Sequence, residues 1–314
     1  MVGPPRSHRT HRVLQAGKGS VPPPRSKPPH HAPRSRSAPQ STGPPARPSK
    51  SAPEYPSMSD RPEKYGAPWS RDELILAFEL YCRIPFRATK ASNPEVQRLA
   101  ILLNRSPAGV ARKLGNFGAF DPVLKARNIS GLVHTSKLDR EVWERFHQDW
   151  PGLVSAAHRL RRVLERQASI PETGLQLPQG PSERVITSRQ RLHQAFFRQA
   201  VLSSYDQCCC VTGIPIPEVL VASHIVPWSV DSKLRADPTN GLCLSATFDR
   251  LFDSGLMSIE ENFYIRLSRR IVRHGNDEVA ILVGDYHGKA IRPPTRFLPR
   301  AECLRWHRDN VFIR

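Results

Sequence analysis

Residues 219–249 read VLVASHIVPWSVDSKLRADPTNGLCLSATFD, and the reading of this stretch decides the fold. An apolar run suited to a β-strand (Val219, Leu220, Val221, Ala222) ends on Ser223-His224. A charged loop follows, the chain turns at Asn240-Gly241, and Asp249 stands nine residues beyond the asparagine. A buried hairpin has no use for a histidine at a strand end and a carboxylate at the start of the next helix. Hydrolysis of a phosphodiester without a covalent intermediate has a use for both. It needs a base to deprotonate water, and an imidazole serves near neutral pH. It also needs a hard cation, and Mg²⁺ keeps most of its waters and asks for few protein oxygens.

The bulk composition points toward the same substrate class. The 314 residues carry a formal charge of +19 and a pI near 10.4, which suits a polyanionic partner, DNA first. No stretch approaches the about 18 apolar residues of a membrane span, and the opening residues lack the apolar segment of a secretory signal. No membrane partner is expected. The six cysteines (Cys82, Cys208, Cys209, Cys210, Cys243, Cys303) follow no disulfide framework, so the expectation is reduced thiols in the cytoplasm. No Cys-x-x-Cys occurs either, and structural zinc is not expected.

Charge and proline are concentrated at one end. Residues 1–57 hold 14 of the 31 prolines, and ten lysines and arginines against a single acid, Glu54. With few large apolar side chains to offset ordering entropy, residues 1–65 read as a disordered basic Pro-rich arm. Met58 opens an alternative natural start, which would make the first 57 residues upstream or dispensable sequence.

From Trp69 the pattern becomes helical. Ser70 with Glu73 is a capping box ahead of the stripe Leu74, Ala77, Phe78, Tyr81. Asn93-Pro94 starts a second helix (Val96, Leu99, Ala100, Leu103), and Ser106-Pro107 a third (Val110, Leu114, Phe117). A fourth is expected from Asp139 to Trp150. Together they predict an all-α module over 66–152 with a helix-turn-helix-like connection at Asn104-Arg105-Ser106. Its third helix is expected to present Arg105, Arg112, Lys113 and Asn116 on one polar side, as nucleic-acid contacts or as ordinary solvated polar groups. Residues 153–183 read as a basic helix (155–169) and a proline-containing linker. Beyond them the patterns predict a helix at 188–204, short strands, a helix near 245–254, further strands through Leu282 and a last helix at 299–310. The fold class expected is α+β.

Four ordered motifs then carry a resemblance. Cys209-Cys210-Val211-Thr212-Gly213, Ala222-Ser223-His224-Ile225-Val226-Pro227-Trp228, Asp237-Pro238-Thr239-Asn240-Gly241-Leu242 and Phe252-Asp253-Ser254-Gly255-Leu256 resemble an HNH endonuclease of the ββα-metal type, in its restriction endonuclease branch. The resemblance covers about 184–312, including the Trp306-His307-Arg308 helix, and implies a nuclease domain over 184–314. The module ahead of it resembles the helical module often found before this domain. The resemblance implies a metal-dependent DNA endonuclease using Mg²⁺ or Mn²⁺, with a restriction or defence role. His224 falls on the general base and Asn240 on the asparagine that fixes the loop and orients the base. Asp249 stands for the last histidine of the motif, as a metal ligand.

The chain departs from the pattern at Ser223, where many relatives carry an aspartate or histidine ligand; Asp253 or water would then complete the metal shell. Taken singly, His224 reads as a satisfied core histidine, Asn240-Gly241 as a turn, and Asp249 and Asp253 as helix caps or structural pairs. Ser223 also motivates an alternative of another class, a DNA-binding protein with a degenerate, catalytically weak HNH core. The sequence leaves the oligomeric state open, a homodimer included.

Overall fold

The computed structural model describes residues 64, 66–129, 135–168 and 182–314, which fall within one compact unit. Most of the expected arm (1–65) and the linker residues 170–181 lie outside the described residues. The fold is mixed α+β. No helix among the described residues is long and apolar enough to cross a membrane.

The helical part is set by its caps. Ser70 Oγ accepts from the Glu73 amide and the Glu73 carboxylate accepts from the Ser70 amide, starting α1 (Arg71–Arg83). Asn93 caps α2 (Pro94–Leu103), which ends on Asn104 in the left-handed region at φ 52°. Ser106 caps α3 (Pro107–Gly118), Asp121 the short α4 (Pro122–Ala126), and a Ser136–Asp139 box α5 (Lys137–Phe146). The fourth helix expected over 139–150 breaks at His147, the C-cap of α5, and Trp150 instead opens α6 (Trp150–Ala168).

Helix α1 is central, packing against α2, α3, α5, α6 and α7 (Ser182–Ser204). Around it Phe78 meets Phe117 at 5.0 Å and Trp143 at 5.2 Å between ring centres, with Trp150 fully buried beside them. This core also takes in Phe196 and Ala200 of α7, Ala236 and Phe297. The next residue along α7, Phe197, belongs with Val201 to a second core. Neighbours on a helix point about 100° apart, so α7 serves both cores at once.

The second core holds β1 (Leu220–His224), paired antiparallel with β2 (Gly241–Ser245) in a register that sets His224 opposite Gly241. Gly241 is required there, because a Cβ would stand 2.3 Å from Val201 Cγ2. Helix α8 (Ala246–Asp253) follows β2 directly and packs on β1, β2 and β3 (Met257–Ile259), which pairs with β4 (Ile265–Leu267).

The strands expected through Leu282 stop at Leu267. Ser268 and Asn276 accept backbone N–H groups and start α9 (Arg269–Val272) and α10 (Asp277–Leu282) instead. The apolar run at 279–282 misled because Ile281 and Leu282 are exposed and face no sheet partner. Helix α11 (Ala301–Asn310) closes the fold.

Arg296 ties the C-terminal part of the chain to α1 and α7. Its fully buried guanidinium donates from Nη1 to the Tyr81 carbonyl, and from Nη2 to the Ile84 carbonyl at 2.7 Å and Ser203 Oγ at 3.0 Å. Replacing it with methionine keeps the apolar bulk but orphans two buried carbonyls at the end of α1. Arg296→Met is expected to lower unfolding free energy by about 2–5 kcal/mol. Chemical denaturation checks this; a loss below about 1 kcal/mol would show that water replaces the guanidinium at those carbonyls.

Candidate active site

The apolar strand β1 delivers His224 to the edge of the second core. Its ring lies flat on Phe197, with centres 3.6 Å apart and planes at 9°, and Trp228 meets it edge-on at 5.7 Å. Nε2 lies 3.1 Å from the Arg235 carbonyl. A carbonyl only accepts, so the ring proton sits on Nε2 and the lone pair on Nδ1. Burial holds the imidazole pKa below its ordinary value, despite the opposing pull of that hydrogen bond. The ring is therefore neutral near pH 7, with one nitrogen fixed and the other able to take a proton.

The loop that supplies the carbonyl is closed by Asn240. This fully buried side chain accepts from the Val226 amide at 2.8 Å and donates to the Val226 carbonyl at 3.0 Å. Its own carbonyl accepts from the Ile225 amide at 2.9 Å. Three bonds thus seal the loop base within two residues of His224. Asp237 braces the other end, accepting from Thr239 and from Arg300 Nη2 at 2.6 Å. Arg235 donates back to the Trp228 carbonyl at 3.1 Å and lies over the Trp228 ring.

Across from β1, α8 carries Asp249 and Asp253 one turn apart. Burial raises the Asp249 pKa, and the Ser223 hydroxyl beside it acts in the lowering direction. Ser223 Oγ is itself buried, and the Asp249 carboxylate is the group it faces. Asp253 is raised first by burial and then by the Asp249 charge. The N-cap of α8 is Ser245, so Asp249 sits inside the helix and does not cap it. His224, Asn240 and the neighbouring Ser223 and Asp249 meet around the end of β1.

The candidate nucleic-acid residues of the helical part do not share an exposed face, which corrects that expectation for three of the four. Arg105 is buried, donates to both Glu73 oxygens at 2.8 and 3.1 Å and to the Ala67 and Pro68 carbonyls, and lies over Trp69. Lys113 reaches both Asp139 oxygens at 3.0 and 3.1 Å, and the buried Asn116 donates to the same carboxylate at 3.2 Å. Only Arg112 of the four is exposed. The reason is physical: Glu73 and Asp139, already held by capping boxes, are buried acids that draw polar partners inward.

Residues 209–260 match the family model described as HNH endonuclease. This segment is similar to HNH endonucleases. The match spans β1, β2, α8 and β3, so the strand-end histidine, the loop-closing asparagine and the helix carboxylates all lie within the matched segment. It implies nuclease chemistry on nucleic acid. No curated protein matches the chain.

HNH nucleases generally use a divalent metal ion. Among the described residues no group of three or more His, Cys, Asp or Glu converges. What the matched segment offers is a pair of carboxylates and a buried hydroxyl, all hard oxygen ligands. That set fits an ion such as Mg²⁺ or Mn²⁺, which retains much of its water.

Sequence reasoning missed Phe197, which supports the His224 ring, and Arg235, whose carbonyl fixes its tautomer. No residue type marks a backbone carbonyl acceptor, and the aromatic pair Phe196-Phe197 was the one available signal for the former. Asn240→Ala would leave both polar groups of Val226 buried without partners. The expected cost is roughly 2–5 kcal/mol of stability. Amide exchange at Val226 should also quicken by more than at distant β4, and equal protection in parent and variant would show that the clamp does not hold the loop.

Proposed function

We propose that the protein is a metal-dependent DNA endonuclease, with the restriction or defence role that the branch resemblance implies. The observation that carries the reading is the His224 Nε2–H···O=C bond to Arg235, which leaves Nδ1 as a neutral, oriented base. Nδ1 takes a proton from the attacking water, and Phe197 and Asn240 keep the ring and its loop in place. Asp249, with Asp253 and Ser223, would hold the divalent ion. When bound, the ion supplies charge neutralisation at the phosphate and the leaving oxygen. The basic chain raises the local concentration of DNA through its phosphates.

His224→Ala is expected to slow cleavage by the ~10²–10⁴ of a lost general base while DNA binding persists. The base works only unprotonated, and its pKa lies below that of an ordinary histidine. Cleavage by the parent should therefore hold steady near neutrality and fall as pH drops through a value under about 6.5. Plasmid cleavage across a pH series measures both, and an unchanged rate in the variant removes His224 from the chemistry.

Asp249→Ala removes one of few hard ligands and is expected to raise the Mg²⁺ or Mn²⁺ needed for half-maximal cleavage. Titrating the ion in the same assay tests it; an unaltered requirement makes Asp249 a structural group. A second reading, a DNA-binding protein with a catalytically weak core, is favoured by Ser223 in the ligand position. DNA binding without cleavage at any concentration of either ion would select it.

A further inference from the structure

We propose a second nucleic-acid site in the cleft between the β3–β4 hairpin, α9 and the residues that follow α11. This cleft would bind an extended single strand, with phosphates on Arg269 and Arg273 and a base against Tyr264. It is an open cavity of about 870 Å³. Of its lining residues only Glu260 lies within the matched HNH segment, and none of His224, Asn240 and Asp249 lines it.

Two of the charges there, Arg269 and Arg273, do not serve folding. Arg266, Arg269, Arg273 and His287 line the cleft, with Glu260 as the one acid, bonded to Arg266 at 3.1 Å. Arg269 and Arg273 are exposed, and among the described residues neither forms an ion pair. They stand four residues apart across the single turn of α9 and its C-cap, where like charges repel. Fold stability gains nothing from that placement, whereas two adjacent phosphates do. His287 Nδ1 accepts from the Leu267 amide at 3.1 Å, so its proton sits on Nε2, a further donor.

The aromatic groups point to an unpaired strand. Tyr264 is 46% exposed at the cleft, and Phe312 lies under Arg266 at 6.0 Å. Base faces can stack on such rings only when they are not already stacked inside a duplex. A concave cleft likewise admits one strand more readily than the convex surface of intact double helix. Strand β3 packs on α8, which carries Asp249, and leads directly into Glu260 of the cleft, which is the connection between the proposed cleavage site and this one. That last link rests on the proposed function, but binding in the cleft does not.

The test is fluorescence anisotropy with a labelled oligothymidylate of about 12 nucleotides, within the usual span of single-strand sites. The full chain is titrated in chelator at several salt concentrations, with the same oligonucleotide paired to its complement as comparison. The parent is expected to bind the single strand. The double variant Arg269→Ala/Arg273→Ala should bind more weakly, with a slope of log affinity against log salt shallower by about 1.4. Tyr264→Ala should weaken binding roughly tenfold with the slope kept, and Tyr264→Phe should retain it. Duplex affinity should change much less. Unchanged single-strand affinity in the variants, an equal loss on the duplex, or no binding by the parent would each overturn the proposal. Because no metal or cleavage enters the measurement, failure of the nuclease reading would leave its result standing.

Discussion

A buried guanidinium at the end of the first helix holds this fold together. Arg296 reaches the last carbonyls of α1 across more than two hundred residues and lies over the Tyr81 ring at 4.6 Å. No carboxylate forms an ion pair with it among the described residues. Its compensation is the negative end of the α1 dipole, the aromatic faces, and the charge of Asp121, which accepts from Tyr81 Oη at 3.1 Å. A buried cation so far from its acceptors in sequence is satisfied only when both halves of the unit have folded. The first core makes the same point, since Ala236 and Phe297 complete a helical cluster begun at Leu74. The β1–β2 hairpin is thereby tied to α1 through α7, whose consecutive phenylalanines serve one core each.

That dependence separates what the sequence disclosed from what it could not. Caps were legible because their bonds span only two or three residues: Ser70 with Glu73, Ser136 with Asp139, Asn93 with Glu95. The amphipathic stripes were legible because the period of a helix fixes which residues share a face. His224, Asn240 and Asp249 stood out because their order and spacing matched a family pattern, and the structure places them around one strand end. The polar fate of Arg105 was not legible. Nothing local says that an arginine after a helix C-cap will find a glutamate 32 residues earlier. Periodicity also failed at 279–282, where a short apolar run fits strand and helix alike and the Asn276 cap decides.

Net charge, for the same reason, was a poor guide to position. In the helical part Lys64, Arg105, Lys113, Arg83 and Arg161 all face Glu73, Asp139 or Glu79, so much of that positive charge is neutralised inside the fold. Among the described residues, Arg269 and Arg273, at the two ends of α9, have no such partners. A basic composition therefore says that a polyanion is welcome, and only the pairing pattern says where.

The same reasoning sharpens the view of α8. Asp249 and Asp253 stand one turn apart in a chain whose proposed substrate is itself an anion, and each is held in surroundings that disfavour its charge. A phosphodiester brought against that pair is repelled unless a cation stands between them. Folding alone does not account for the pair, since neither carboxylate caps α8. Ser223 adds a buried hydroxyl facing Asp249 at the same place, and a hydroxyl oxygen has lone pairs to spare for a bound ligand. Two carboxylates one turn apart and a buried hydroxyl, near a neutral, oriented imidazole, leave a concentration of oxygen ligands that the packing of α8 does not use. They make physical sense together once a hard cation and a phosphate share the space between them.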